Sequence, residues 1–246
     1  MRSSVVTHAD ILEELRNIKL PADKRIGVNN TQAKAEKKGC VIGYIIDYLG
    51  GWTIARFTRR FPCLALLACE YARQEFPSFN FTSIMVNMGG CCLHVDSKNC
   101  GNSLLLSVGD HVGGQLWQYP GQVLDAHNTL TSCDGRLPHI TLPFEGERYS
   151  LVFFNLKGDR AGPSREASTY LSHLGFWHPS HRKPQESSPA RKDLMDSAAK
   201  LLRSEWGLSM KYIGNYKNNP KKCHNMDKTE DIRRRIKLSR RKTRSM

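Results

Sequence analysis

Residues 92–117 read CLHVDSKNCGNSLLLSVGDHVGGQLW, and residues 138–150 read PHITLPFEGERYS. Both stretches set short apolar runs between Gly, Asn, Asp and Pro, and both place single polar side chains inside or beside those runs. On a strand, residues i and i+2 face the same way. His94 and Asp96 therefore share a face, with Val95 on the other. Arg148 and Ser150 likewise share a face at the start of RYSLVFFN, residues 148–155, and that face continues with Val152 and Phe154. A histidine and a carboxylate aimed into an apolar interior are costly unless they pair with each other or with a metal. The fold decides whether these residues are scattered surface groups or one inward-facing site.

Working outward, residues 79–155 keep the same texture: FTSIMVN, CCLHV, SLLLSVG, QLWQY, QVLDA, TLTSC, HITL and RYSLVFFN follow one another, separated by turn formers. Short strands at such spacing argue for a β-sandwich or barrel. Gly113-Gly114 reads as a hairpin turn between SLLLSVGD and QLWQY. Upstream, the run from Cys40, CVIGYIIDYLGGWTIARF, reads as a strand, with a turn at Gly50-Gly51. Helical patterns cover 7–18, with Thr7 or Asp10 as cap, and 63–75, which Pro77 ends. Further helices are read over 166–175 and 191–206. The expected class is α+β: a β core with flanking helices. Residues 1–39 read as a helix and linker, 40–178 as the folded domain, and 179–246 as a basic, flexible tail.

Charge supports that division. Of the chain's 37 Lys/Arg and 23 Asp/Glu, residues 1–180 hold 18 and 16, a net +2. Residues 181–246 hold the other 19 and 7, a net +12. Eight cysteines show no CxxC spacing, which excludes a zinc ribbon. The N-terminus has no apolar core of signal-peptide length, and the run CLALLAC is far too short to cross a bilayer. An intracellular protein, nuclear or cytoplasmic, with free thiols and no membrane partner is expected. Cys91-Cys92 reads as core packing.

A third polar group would complete a site around His94 and Asp96. His111 falls in the expected hairpin turn, and His127 in a loop. His139 begins a β-like run, and so is the preferred third ligand. Two histidines and one carboxylate form the facial set of non-haem Fe(II) sites, which leaves positions open for other ligands. Arg148 lies nine residues beyond His139. An inward arginine cannot shed its proton and needs an anion, and a bidentate carboxylate assisted by the Ser150 hydroxyl meets that need. The alternative leaves these residues unrelated, with Arg148 paired to Glu145 or Glu147.

The ordered set HxD, distal His, then RxS on the last strand resembles the 2-oxoglutarate/Fe(II)-dependent dioxygenases, whose fold is a double-stranded β-helix, or jelly roll. The flanking sequences look like a subgroup common in algae and dinoflagellates. The resemblance covers about residues 40–178. It implies Fe(II) held by His94, Asp96 and His139, with 2-oxoglutarate and O2 as cosubstrates. It also implies Arg148 and Ser150 on the distal carboxylate of 2-oxoglutarate, and decarboxylation to succinate coupled to hydroxylation of a C–H bond. Asn87 is a candidate cosubstrate contact, against a strand-end turn. Trp117 and Tyr119 are candidates for the substrate mouth, against ordinary packing. Asp134, Asn99 and Asn102 read as turn residues.

The basic tail suggests nucleic acid as a partner, with Lys/Arg on phosphates and Tyr212 and Tyr216 stacking on bases. The substrate is then a nucleic acid or an associated molecule. Two other readings stand beside this one: a prolyl- or lysyl-type protein hydroxylase whose tail serves for targeting, and a non-catalytic jelly-roll protein that binds nucleic acid.

Overall fold

The computed structural model describes residues 5–22, 38–156, 162–178 and 191–214. The first helix, α1 (His8–Asn17), begins in a capping box: Thr7 Oγ1 accepts from Asp10 N and an Asp10 carboxylate oxygen accepts from Thr7 N. Then come β1 (Lys38–Ile46) and β2 (Trp52–Ile54), a hairpin turning at residues 48–50, and the helices α2 (Arg56–Arg60) and α3 (Pro62–Glu75). Proline at the first turn of α3 loses no intrahelical bond.

The strands that follow are β3 (Ser83–Met88), β4 (Ser103–Val108), β5 (His111–Gly113), β6 (Leu116–Gln118), β7 (Gln122–Leu124), β8 (Thr131–Cys133), β9 (His139–Thr141), β10 (Phe144–Gly146) and β11 (Tyr149–Phe154). Three helices close the described chain: α4 (Arg165–His173), α5 (Arg191–Trp206) and α6 (Met210–Ile213). The large sheet has the order β2-β1-β3-β11-β4-β8. Opposite it lie the sheet β7-β6-β9 and the pair β10-β5, and every strand pairing is antiparallel. This is the mixed helix-and-sheet architecture expected of a jelly roll.

Alternation along the large sheet separates two interiors. Ile42, Ile84, Val86, Leu104, Leu106, Leu151 and Phe153 point out and pack with Ile11 and Leu15 of α1 and Leu64, Ala65 and Ala68 of α3. The residues between them, Val41, Met85, Asn87, Leu105, Ser150 and Val152, point in and line a cavity. The register fixes this: Asn87 lies opposite Ser150, and Met85 opposite Val152.

Three sequence expectations change. Gly113-Gly114 does not turn β4 back onto β6. Both glycines have φ near +80°, and His111–Gly113 pairs with β10. There the Pro143 carbonyl comes so close that a Cβ on Gly113 would lie 2.5 Å from it. CCLHV forms no regular strand; His94 makes an isolated bridge to His139. Within the stretch read as a basic tail, residues 191–214 form α5 and α6. Ala198, Ala199, Leu202, Tyr212 and Ile213 cover Leu93, Trp117, Ile140 and Leu142 on the outer face of the small sheet. Their burial supplies the driving force that charge counting missed. The segments 23–37, 179–190 and 215–246 lie outside the described residues.

Candidate metal centre

His94, Asp96 and His139 converge, with one potential ligand atom from each lying within 4.8 Å of the others. Asp96 Oδ1 is 3.7 Å from His94 Nε2, and Asp96 Oδ2 is 3.9 Å from His139 Nε2. The backbone sets this up. His94 N donates to His139 O and His139 N donates to His94 O, each at 3.0 Å, which brings the two rings to 4.2 Å between centroids. Asp96 N donates to Gly135 O in the turn before β9. Asp134 shapes that turn, accepting from Arg136 N, Nε and Nη2.

The tautomers follow from the hydrogen bonds. His94 Nδ1 lies 2.7 Å from Cys92 O, and His139 Nδ1 lies 2.8 Å from Leu137 O. A carbonyl only accepts, so both Nδ1 atoms carry the proton and both Nε2 lone pairs face Asp96. Such a bond orients a ligating imidazole and raises its basicity. Burial opposes charge on both rings. At His139, burial and the neighbouring His94 hold the pKa below the ordinary imidazole range. At His94 burial is outweighed by Cys91 and Asp96, and the pKa rises. Two imidazoles and a carboxylate form a donor set that suits a divalent first-row metal.

Arg148 opens on the same cavity of about 350 Å³. It is 3% exposed. Its Nη1 donates to Gly89 O at 3.0 Å, and its Nε is buried with no partner. Burial lowers its pKa to about 10, so the guanidinium still carries charge. Glu147 turns outward, where it pairs with Arg16, and among the described residues no carboxylate forms an ion pair with Arg148. The unpaired donor fits an anion such as the carboxylate of 2-oxoglutarate. Beside it, Asn87 Nδ2 donates to Ser150 Oγ at 3.4 Å, and both side chains line the cavity. Between this polar end and the three-residue cluster, Val41, Met85, Leu105, Leu116 and Val152 form an apolar wall.

The other candidates fall elsewhere. His111 and His127 stack on each other, 4.1 Å between centroids, outside the cluster. Trp117 is fully buried on the outer face of the small sheet, and Tyr119 packs against the same cluster, so neither lies at the cavity mouth. Tyr212 is buried, and its hydroxyl donates to Thr141 O at 3.0 Å. It is unavailable for base stacking, because it holds the sheet. Tyr216 lies outside the described residues. Asn99 lines the cavity and donates to Ser103 Oγ.

Sequence reasoning missed Cys91 and Thr141. Strand alternation would put Cys92 on the face of His94; instead Cys92 packs outward and Cys91 lines the cavity. The break in regular pairing at residues 91–95 is the reason. Thr141 falls on the His139 face by alternation, and that signal was available. Its hydroxyl accepts from Cys91 N at 3.1 Å.

No protein-family model and no curated protein matches the chain. Among solved structures it is similar to an oxidoreductase of the 2OG-Fe(II) oxygenase family from Burkholderia pseudomallei, at 16% identity, 62% of this chain, 81% of that one and a TM-score of 0.43. It is similar to a prolyl hydroxylase from Trichoplax adhaerens in complex with a peptide fragment of hypoxia inducible factor, at 20% identity, 58% and 73% coverage and a TM-score of 0.36. It is also similar to NgTET1 in complex with 5mC DNA, at 15% identity, 55% and 68% coverage and a TM-score of 0.38. Likeness at this level carries no argument about activity, which rests on the side chains of the cavity. The chain is similar to 2-oxoglutarate/Fe(II) oxygenases of known structure.

Proposed function

We propose that the protein is a 2-oxoglutarate- and O2-dependent Fe(II) dioxygenase that hydroxylates a C–H bond. One observation carries the reading: one potential ligand atom each from two imidazoles and a carboxylate meet in the same cavity as a buried guanidinium that lacks a carboxylate partner. His94, Asp96 and His139 would hold the iron on one face. Arg148 and Ser150 would take the distal carboxylate, with Asn87 fixing the Ser150 hydroxyl. When bound, the iron would supply the oxidising chemistry, with 2-oxoglutarate consumed to succinate and CO2. The apolar wall of Met85, Leu105 and Val152 would keep water from the reacting centre.

For the substrate we favour a nucleic acid or a molecule bound to one, supported by the net +12 over residues 181–246. A basic run of this kind also serves as a nuclear import signal. Purified protein incubated with Fe(II), ascorbate, 2-oxoglutarate and candidate oligonucleotides or peptides should release succinate. No release above an Asp96→Ala control with any candidate would count against the enzyme. Succinate coupled only to a peptide would move the substrate to protein.

A further inference from the structure

The segment 91–96 carries two of the three candidate ligands, His94 and Asp96. It forms no regular strand and sits at the edge of the small sheet, beyond β9. On the inner side it has the reciprocal His94–His139 pair, Thr141 N donating to Cys91 O and Asp96 N donating to Gly135 O. A sheet edge is ordinarily free to shift or to pair elsewhere. Here it is covered. Leu93 N, which points away from β9, donates to Ile213 O at 3.0 Å, so the C-terminal end of α6 takes the place of a neighbouring strand.

The cover is matched to the ligands. Leu93 precedes His94 and Ile140 follows His139, and both side chains are buried under Ala198, Leu202 and Ile213. Tyr212 Oη donates to Thr141 O, two residues beyond His139. Gly214 lies against Cys92, where a Cβ would come within 2.9 Å of the Cys92 Cβ. Its φ of +89° is open to glycine and strained for other residues.

We propose that α5 and α6 are a brace for the metal centre, with Tyr212 and Ile213 as positioning residues that fix the segments bearing His94 and His139. The inference rests on the reading that these side chains bind a metal. It assigns part of the C-terminal region a task in forming the site, distinct from any charge-based role of the residues beyond.

The test uses full-length protein under anaerobic conditions, with Mn(II) as the probe and hydrogen exchange as a second readout. Tyr212→Phe removes the hydroxyl's bond to Thr141 O and keeps the ring. It should weaken Mn(II) binding about three- to tenfold, the effect of one lost hydrogen bond to a buried carbonyl. Exchange at the His94 and His139 amides should quicken while that at Val86 and Leu151 in the large sheet stays unchanged. Leu202→Glu, which undocks α5, should show the same pattern more strongly. Unchanged Mn(II) affinity and unchanged exchange at His94 and His139 in Tyr212→Phe would overturn the brace. So would equal quickening in both sheets, which marks general destabilisation. If wild-type protein takes up no Mn(II), the reading of the metal site fails, and the exchange pattern still decides whether the brace exists.

Discussion

Replacing Arg148 by methionine separates the needs of the fold from those of the cosubstrate. Without a ligand, the change removes the Nη1 bond to Gly89 O, a charged hydrogen bond worth about 1.5–3 kcal/mol. It also removes a buried, unpaired guanidinium, whose desolvation costs several kcal/mol. The two effects oppose, so the ligand-free variant should melt within about 5 °C of wild type, at roughly 2–4 °C per kcal/mol for a chain of this size. For 2-oxoglutarate the balance is one-sided. Losing one partner of a buried charge pair costs at least about 2 kcal/mol, or roughly 30-fold in affinity. At a cosubstrate concentration of 100 Kd, wild type gains about 2.7 kcal/mol, and a variant weakened 30-fold gains about 0.9 kcal/mol. Thermal denaturation with Mn(II), with and without 2-oxoglutarate, reads both quantities. A variant that keeps the full cosubstrate shift, or that loses most of its ligand-free stability, would refute the assignment of Arg148 as an anion site.

Four further outcomes follow from the structure. Leu106→Ala, on the helix-packed face of β4, should cost about 2–5 kcal/mol of stability in chemical denaturation. Leu105→Ala, one residue away, should mainly enlarge the cavity and lower apparent cosubstrate affinity. The buried thiols set a pH limit: burial pushes Cys40 and Cys133 up to about 12 from an ordinary 9.0. They stay neutral in the fold while the unfolded chain ionises, so their contribution to stability is complete below pH 9 and declines as pH rises toward 12; denaturation midpoints across that range check it. Exposed Cys63 should react with a maleimide at pH 8 before Cys40, Cys69 or Cys133.

Much of the site could be read from spacing, because strand alternation turns i, i+2 patterns into shared faces. The His139 run and the Ser150–Val152 step follow that rule, whereas His94 and Asp96 converge from a segment with no regular strand, held by the isolated bridge to His139. What sequence could not give came from tertiary context. β5 and β10 are three residues each, too short for periodicity, and they pair where Gly113 comes close to the Pro143 carbonyl. The swap of Cys91 for Cys92 inside the cavity depends on a broken strand. Helix α5 was legible in RKDLMDSAAKLLRSEW, yet its docking face of Ala198, Ala199 and Leu202 was hidden in a region dominated by charge. Tyr212, read beside lysines as a base-stacking residue, is a buried hydrogen-bond donor.

The most direct measurement is anomalous diffraction from crystals grown anaerobically with Mn(II) and 2-oxoglutarate. The expected map has one metal bound by His94 Nε2, the Asp96 carboxylate and His139 Nε2, with the diacid running to Arg148 and Ser150. A metal bound elsewhere, or a diacid that leaves the Arg148 guanidinium without a partner, would contradict it.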